Sequence, residues 1–312
     1  MKIETARGQV ESEELGVTLA HEHFAVLTDG LSLAFPQTFD RTAAIDKAVR
    51  MANDAYALGI RSMVDLTVLG LGRDIHFIRD IAAQIPVNVI VATGLYTFVD
   101  VPTYFRSRTI DDMSALFVAD IQEGIGGTDS KAGILKCATD EPGVTPGVDM
   151  VLRACARAHK ATGAPISTHT HADTERGLDQ IAIFEDEGVD LSSVVIGHCG
   201  DSHDVDYLVR VAEKGVAMGM DRFSIDDRSP LETRVRMVVE MWKRGYGDRM
   251  VLSHDCVCTI DWFASVPERD FGYIHREVLP RLSDAGMGDA DIEQMLVHTP
   301  RRILEGSRVR VA

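Results

Sequence analysis

Gly-Val-Thr-Leu-Ala-His-Glu-His-Phe, at residues 16–24, has the composition of a buried strand and ends close to two histidines. Side chains alternate between the two faces of a strand, so we expect Val17, Leu19, His21 and His23 on one face. Imidazole packs poorly in an apolar interior but is a common metal ligand. The pair therefore predicts a metal site at the end of a buried strand, provided that other strands supply further ligands.

Short apolar runs alternate with helical patterns along the rest of the chain. The runs that predict strands are 17–24, 60–67, 87–95, 132–137, 165–170, 193–198, 216–220 and 249–255. They are rich in Val, Ile, Leu and Ala, which is typical of strands covered on both faces. Eight strands alternating with helices favour an α/β fold, a (β/α)8 TIM barrel formed by residues 1–312 as one domain. An open doubly wound sheet is the alternative, but no G-x-G-x-x-G follows the first strand.

Helices are predicted where capping residues and helix breakers enclose an amphipathic pattern. They run from Arg41 to Leu58, from Thr145-Pro146 to Gly163, from about Asp173 to Gly188, from Ser202 to Gly215, from Ser229-Pro230 onward, and from Asp289 to Leu304. Most of them are followed by glycine, the residue that most readily adopts the left-handed conformation of a C-terminal cap.

Composition and charge exclude several classes of protein. The 312 residues carry a formal net charge of −16, which argues against nucleic acid as a partner because a phosphate backbone needs a basic surface. No run approaches the roughly 18 apolar residues of a membrane span, and the N-terminus lacks the apolar core of a signal peptide. Five scattered cysteines favour a reducing, cytoplasmic location. Cys256 and Cys258 form a weak metal motif, and packing is the favoured interpretation.

Ionisable side chains stand at the ends of five predicted strands. In a barrel, the active site lies at the C-terminal ends of the strands. The residues found there are His21 and His23 on the first strand, Lys136 on the fourth, His169 on the fifth, His198 on the sixth and Asp255 on the eighth. One such histidine is more often structural than a ligand, but four histidines and an aspartate at equivalent positions predict a metal site.

The remaining histidines do not share this pattern. His171 shares a face with His169 but lies beyond the end of the fifth strand, so we expect it behind the metal ligands and not among them. His254 is expected to point away from Asp255. Surface or packing positions are predicted for the others, which are His76, His159, His203, His275 and His298.

Lys136 lies within Gly-Ile-Leu-Lys-Cys-Ala and is expected to be buried. Buried lysine is rare unless it is paired, and an ammonium group beside divalent cations would be repelled. The side chain must therefore be neutral, act as a base, or be converted chemically. Carbon dioxide can add to a neutral amine and give a carbamate, an anion whose two oxygens could bridge two metals.

These strand-end residues resemble the binuclear-metal amidohydrolase superfamily, and more closely the phosphotriesterase-like lactonases. The stretches that carry the resemblance run in order along most of the chain. They are Val-Asp-Leu-Thr-Val-Leu-Gly-Leu-Gly-Arg at 64–73, Val-Ala-Thr-Gly-Leu-Tyr at 91–96, Ile-Ser-Thr-His-Thr-His-Ala at 166–172, Val-Ile-Gly-His-Cys-Gly-Asp-Ser at 195–202 and Leu-Ser-His-Asp at 252–255.

The resemblance implies a centre of two divalent metals, zinc first, with cobalt, iron and manganese as alternatives. One metal would be held by His21, His23 and Asp255, and a more exposed one by His169 and His198. Lys136 would be an N6-carboxylysine that bridges them. A bridging hydroxide would attack the ring carbonyl, and Asp255 would carry its proton to the leaving alkoxide.

The resemblance also implies a substrate. Tyr96 and Arg222 match positions that hold the lactone ring, and the segment after the seventh strand is too short for the insertion of true phosphotriesterases. The stretch from Cys256 to about Arg269, with Trp262 and Phe263, could receive an acyl chain. We therefore expect a quorum-quenching lactonase for N-acyl-homoserine lactones, and for other γ- or δ-lactones, with promiscuous organophosphate triesterase activity and a homodimeric assembly. A dedicated phosphotriesterase, another amidohydrolase such as an amidase, and an inactive lactone-binding barrel are the alternatives.

Overall fold

The computed structural model describes residues 1–225 and 228–306. The strands in these ranges are β1 (Lys2–Thr5), β2 (Gly8–Glu11), β3 (Val17–Val26), β4 (Ile60–Asp65), β5 (Asn88–Gly94), β6 (Ile134–Thr139), β7 (Ile166–Thr170), β8 (Val194–Ile196), β9 (Ala217–Met220), β10 (Met250–Leu252) and β11 (Cys256–Ile260). The helices are α1 (Leu31–Ala34), α2 (Arg41–Ala57), α3 (Ile75–Ala82), α4 (Ile110–Gln122), α5 (Pro146–Thr162), α6 (Arg176–Glu187), α7 (Val205–Glu213), α8 (Leu231–Lys243), α9 (Leu279–Asp284), α10 (Asp289–Glu293) and α11 (Thr299–Glu305).

Nine strands form one parallel sheet that closes into a barrel. Their order is β10-β9-β8-β7-β6-β5-β4-β3-β11. β10 and β11 are consecutive segments of the chain, and β10 pairs with β9 while β11 pairs with β3. Together they form the eighth barrel strand, so the sheet joins its own first strand. The α/β barrel predicted from the alternating pattern is confirmed, and the open sheet is excluded.

The eighth strand is where the sequence pattern is partly wrong. The predicted run 249–255 is a strand only at Met250–Leu252, and the stretch expected to be a loop begins with five further strand residues, Cys256–Ile260. The chain changes its pairing partner between these two segments, at residues 253–255. Cys256 and Cys258 are buried in the core, as the packing interpretation predicts.

β3 does not alternate regularly. Its pairing with β4 passes from Leu19–Met63 to Glu22–Asp65, which leaves one extra residue on β3 and marks a β-bulge. Leu19 packs in the core between sheet and helices, whereas Ala20 packs with residues of the barrel interior. The expectation that Leu19 shares a face with His21 is therefore wrong, because the bulge rotates the strand between them.

The predicted helices differ from the observed ones mainly at their ends. α2 is capped by Asp40 and α5 by Thr145, as expected. The helices predicted from Asp173 and Ser202 begin three residues later, at Arg176 and Val205. In both cases a short turn precedes the helix.

The final helix predicted from Asp289 to Leu304 is confirmed, because residues 289–305 are helical throughout. A π-helical turn at Gln294–His298 joins α10 to α11. Pro300 lies in the first turn of α11 and has no N–H to donate to the preceding turn, so regular α-helical hydrogen bonding is interrupted there.

Apolar side chains close the N-terminal end of the barrel. Ile3 of the β1–β2 hairpin, Leu15 and Leu304 pack with Val64 and Ile90 of the barrel strands. The buried residues of the candidate site, such as His169, His198 and Asp221, lie at or just beyond the C-terminal ends of the strands. Within the described residues, no helix is long and apolar enough to cross a membrane.

Candidate metal centre

Three predicted residues converge at the closing seam of the barrel. Nε2 of His21 and Nε2 of His23 lie 3.5 and 3.3 Å from Oδ1 of Asp255. Ligand atoms bound to one zinc ion at about 2.0–2.2 Å in tetrahedral geometry lie about 3.3–3.6 Å apart. The spacing of these three atoms therefore fits a shared divalent ion.

The other nitrogen of each imidazole is held by a hydrogen bond. Nδ1 of His21 lies 2.8 Å from Oδ2 of Asp221, and Nδ1 of His23 lies 2.9 Å from Oγ1 of Thr67. Since the Thr67 hydroxyl donates to the carbonyl of Ala25, its oxygen accepts from His23. Both Nε2 atoms are then unprotonated and face the Asp255 carboxylate, an arrangement of lone pairs that a cation would stabilise.

A second pair of imidazoles follows the same rule. Nδ1 of His169 lies 2.9 Å from Nε2 of His198. His169 donates its Nε2–H to Asp140 at 2.6 Å, and His198 donates its Nδ1–H to Asp221 at 3.0 Å. The two nitrogens that face each other are therefore also free of protons, and they are suited to a second ion. All four predicted histidines are buried, so burial alone does not separate an inner from an outer site.

Lys136 lies beside both groups. Its side chain is 1% exposed, and Nζ lies 3.2 Å from Nε2 of His21 and 3.3 Å from the carbonyl oxygen of Thr168. Burial lowers the pKa of Lys136 to about 8, although the negative charges of Asp255 and Asp221 oppose this shift. A minor fraction of the amine is therefore neutral at pH 7, far more than for an ordinary lysine, and addition of carbon dioxide requires this form.

The charge states of the cluster follow from burial and from mutual contact. Burial lowers the pKa of His21 to about 3, with a further contribution from Lys136, and it lowers the pKa of His198. Burial raises the pKa of the Asp255 and Asp221 carboxyls, but the imidazoles around them outweigh it and hold both pKa values well below their usual range. Neutral imidazoles and ionised carboxylates are the forms that bind metals.

Arg222 connects this cluster to a second buried carboxylate. Its Nε donates to Oδ2 of Asp255 at 2.9 Å, and its Nη1 donates to Asp201 at 2.8 Å. Asp201 also pairs with Arg234, which is buried. Arg222 is 8% exposed, so both of its ion pairs are buried in the site and are not surface contacts.

Two of the candidate ligands have a strained backbone. His198 has φ 61° and Asp255 has φ 52°, in the left-handed region that side chains with a Cβ disfavour by about 1–2 kcal/mol per residue. Such residues persist only where the surroundings fix them, and they are common at functional sites. The His198 amide donates to Asp221, and the Asp255 amide donates to the carbonyl of His21. The site therefore supplies the contacts that hold its own strained residues.

Aromatic side chains line one side of the cluster. The hydroxyl of Tyr96 lies 3.1 Å from Nδ1 of His169, and burial raises the pKa of this phenol far above its ordinary value, so it stays protonated. The ring of Phe98 lies 5.2 Å from the ring of His169, and the ring of Trp262 lies 6.4 Å from that of Tyr96. Tyr96 thus occupies the place expected of it, and Phe98 joins it without having been predicted.

The barrel and its strand-end residues have counterparts in known proteins. A model of the phosphotriesterase family matches residues 1–304. The chain belongs to the phosphotriesterase family. A phosphotriesterase homology protein of Mycobacterium tuberculosis is 49% identical, over 97% of this chain and 98% of that protein. An aryldialkylphosphatase of Saccharolobus solfataricus is 37% identical, over 95% and 97%. A solved structure of the phosphotriesterase from Mycobacterium tuberculosis has a TM-score of 0.93 at 48% identity and covers 98% and 99% of the two chains.

These matches confirm the resemblance at the level of the phosphotriesterase family. Phosphotriesterase-family proteins are metal-dependent hydrolases with a binuclear centre, and the donor atoms described above fit such a centre. The geometry of this chain supports that fit. The unprotonated nitrogens of His21 and His23 face the Asp255 carboxylate, and those of His169 and His198 face each other.

Some residues that contact the candidate ligands were not predicted from the sequence. They are the hydrogen-bond partners of the imidazoles, namely Thr67, Asp140 and Asp221. A signal was present, because Asp65 ends β4, while Asp140 and Asp221 directly follow β6 and β9. Asp140 and Asp221 therefore occupy strand-end positions like those of the predicted ligands.

The histidines outside the predicted ligand set make other contacts. His254 points away from Asp255, as expected, and contacts Glu22 through Nδ1. The buried His159 contacts the carbonyl of Ala164, which agrees with its predicted packing role. His171 contacts Thr174, and its place behind the ligands stays a prediction.

Proposed function

We propose that this protein is a lactonase that opens N-acyl-homoserine lactones and other γ- or δ-lactones, with weaker activity on organophosphate triesters. The observation that carries the proposal is the placement of two donors at the cluster, the Tyr96 hydroxyl beside His169 and the Arg222 guanidinium beside Asp255. The ester ring of a lactone offers only acceptor oxygens, so a neutral hydroxyl and a fixed cation are suitable partners for it.

Two divalent metals would occupy the two groups of donors. His21, His23 and Asp255 would hold one, and His169 and His198 the other, with Lys136 as N6-carboxylysine between them. Zinc is the first expectation, and cobalt, iron or manganese accept the same donors. When bound, such metals lower the pKa of water toward neutrality and polarise a carbonyl oxygen.

The protein's own groups then carry the proton and orient the ring. Asp255 is ionised at neutral pH, so it can accept a proton and return it to the alkoxide that leaves when the ring opens. Arg222 keeps its charge at any accessible pH and cannot pass a proton. Its two ion pairs fix the Asp255 carboxylate in place, and its remaining N–H groups can bind the substrate.

The stretch that begins at Trp262 suits an acyl chain, because the Trp262 ring lies 6.4 Å from that of Tyr96. Trp262, Phe263 and Val266 are large apolar residues that are 41%, 61% and 43% exposed. An acyl chain covering them would remove apolar surface from water, which favours binding by about 25 cal/mol per Å². Only residues 221–228 separate Met220 from Ser229, and this short segment leaves less chain over the opening. Residues 226–227 of that segment lie outside the described residues.

A comparison of substrates tests this proposal. We expect kcat/KM for N-acyl-homoserine lactones of several chain lengths to exceed kcat/KM for paraoxon, measured with the same metal-loaded protein. A preference for paraoxon would refute the lactonase assignment. An N-acyl amino acid serves as the amide control, and its preferred cleavage would identify an amidase instead.

A dedicated phosphotriesterase is the second candidate, favoured by the 37% identity to the Saccharolobus solfataricus aryldialkylphosphatase. A metal pair that stabilises a tetrahedral carbon can also stabilise a five-coordinate phosphorus, so both activities suit one site. The ratio of the two kcat/KM values decides between them. An inactive lactone-binding barrel would instead contain fewer than about two metals per chain on elemental analysis.

A further inference from the structure

Glu22 stands between the two histidines of the first barrel strand and contacts the eighth barrel strand, which is paired with the first. It is 2% exposed, and its carboxylate reaches the segment that joins β10 to β11. Oε1 accepts from the Ser253 hydroxyl at 2.7 Å and from the His254 amide at 3.1 Å. Oε2 accepts from the Cys256 amide at 2.9 Å. One side chain therefore binds residues on both sides of Asp255.

The N–H groups of the segment between β10 and β11 need acceptors other than the backbone carbonyls of the regular sheet. β10 ends at Leu252 and β11 begins at Cys256, so residues 253–255 lie between the two pairings. Backbone N–H groups buried at such a break must find other partners. The Glu22 carboxylate supplies them for His254 and Cys256, and the Asp255 amide between them donates to the carbonyl of His21. The first strand thus holds every backbone amide from residue 254 to residue 256.

The side chain of His254 completes the clamp. It accepts from the Ile274 amide through Nε2 at 3.0 Å, so Nδ1 carries the proton and donates it to Oε1 of Glu22 at 2.7 Å. Ser253 links the two strands a second time, because its oxygen accepts from the His21 amide at 2.9 Å while its hydroxyl donates to Glu22. The carboxylate is therefore the centre of a buried network with little freedom to move.

We infer that Glu22 is a positioning residue, which fixes the left-handed backbone of Asp255 and so aims its carboxylate at His21 and His23. Glu22, which separates His21 from His23, thereby couples this histidine pair to Asp255. The inference rests on the proposed function only for the role of Asp255 in catalysis. The expected effect of Glu22 on metal affinity does not depend on which reaction the site catalyses.

Metal affinity of the Glu22→Gln variant tests the inference, with Co²⁺ alone as the probe and its visible absorption as the signal. Glutamine keeps the size of the side chain but turns one acceptor into a donor that faces an N–H group. Loss of a group that orients a metal ligand typically weakens binding by about 10- to 100-fold. We expect a loss in this range, and a lower kcat with little change in KM.

A double-mutant cycle with Asp255→Asn shows whether Glu22 acts through Asp255. If it does, Glu22→Gln should weaken Co²⁺ binding much less in the Asp255→Asn background than in the unmodified protein. Additive losses, or unchanged Co²⁺ affinity in the single variant, would overturn the inference. Since Co²⁺ binding needs no substrate, a failed lactonase assay leaves this result intact and is distinguishable from it.

Asp120 provides the matched control. It is a partly buried carboxylate that accepts from Thr93 and Arg73 on another part of the barrel. Asp120→Asn should leave Co²⁺ affinity unchanged, and an equal loss there would mean that any interior carboxylate matters, contrary to the inference. If Glu22→Gln does not fold, Ser253→Ala removes one bond to the same carboxylate, together with the acceptor of the His21 amide. Unchanged Co²⁺ affinity in that variant would also overturn the inference.

Discussion

Replacement of Asp221 by asparagine should weaken both halves of the candidate centre at once. Asp221 is 1% exposed and accepts three hydrogen bonds, from Nδ1 of His21, from Nδ1 of His198 and from the His198 amide. His21 belongs to one group of metal donors and His198 to the other. The carboxylate therefore fixes the orientation and the protonated nitrogen of one ligand in each group.

The size of the effect follows from these bonds. An asparagine oxygen can still accept from one imidazole, but the amide NH2 would face the other N–H, so one imidazole must change its tautomer or rotate. A hydrogen bond to a charged group contributes about 1.5–3 kcal/mol. Loss of one such bond corresponds to about a 10- to 150-fold weaker affinity. We expect the affected site to lose metal within this range.

Competition with a chelator measures this affinity. Zinc retained per chain is determined by elemental analysis at increasing chelator concentration, for the unmodified protein and for Asp221→Asn. The Asp120→Asn variant again serves as the control, because Asp120 bonds Thr93 and Arg73 and no candidate ligand. Retention of both metals by Asp221→Asn at the chelator concentration that the unmodified protein tolerates would refute the orienting role of this carboxylate.

Three further outcomes are expected. Lys136→Ala should lower kcat by at least about 100-fold, with partial recovery on addition of propionate, whereas full metal content without recovery would argue against a bridging carbamate. Tyr96→Phe should lower kcat/KM for lactones by about 2- to 12-fold, the value of one neutral hydrogen bond, without loss of metal, and an unchanged kcat/KM would remove Tyr96 from substrate binding. Chelation should abolish hydrolysis and lower the melting temperature, because ligands that bind only the folded state stabilise it; equal melting temperatures with and without metal would show that the centre adds no stability.

Much of the site could be predicted because barrel topology turns chain position into spatial position. Residues as far apart in the chain as His21 and Asp255 meet because the C-terminal ends of parallel strands lie on one rim. Imidazoles in such places are conspicuous, since they pack poorly without a ligand or a hydrogen-bond partner. The same rule placed Lys136 beside His21, across the barrel from the closing strand.

The parts that could not be predicted depend on departures from regular strands. The bulge in β3 reverses which residues face the interior, and an alternating pattern contains no sign of one extra residue. The break between β10 and β11 is also invisible, because Ser-His-Asp is compatible with a continuing strand. Aspartates such as Asp140 and Asp221 escaped notice for another reason, since a carboxylate after a strand is usually a solvated loop residue.

The stretch at residues 16–24 accordingly does more than supply two ligands. His21 and His23 face the barrel interior, while Glu22 between them binds the segment that carries Asp255. A glutamate flanked by two histidines in a strand covered on both faces cannot be solvated on either side, so it requires buried partners. Such partners are found where the barrel closes. The eighth strand is interrupted there between β10 and β11, so backbone N–H groups are available to the Glu22 carboxylate. Metal binding and barrel closure thus depend on the same three consecutive residues.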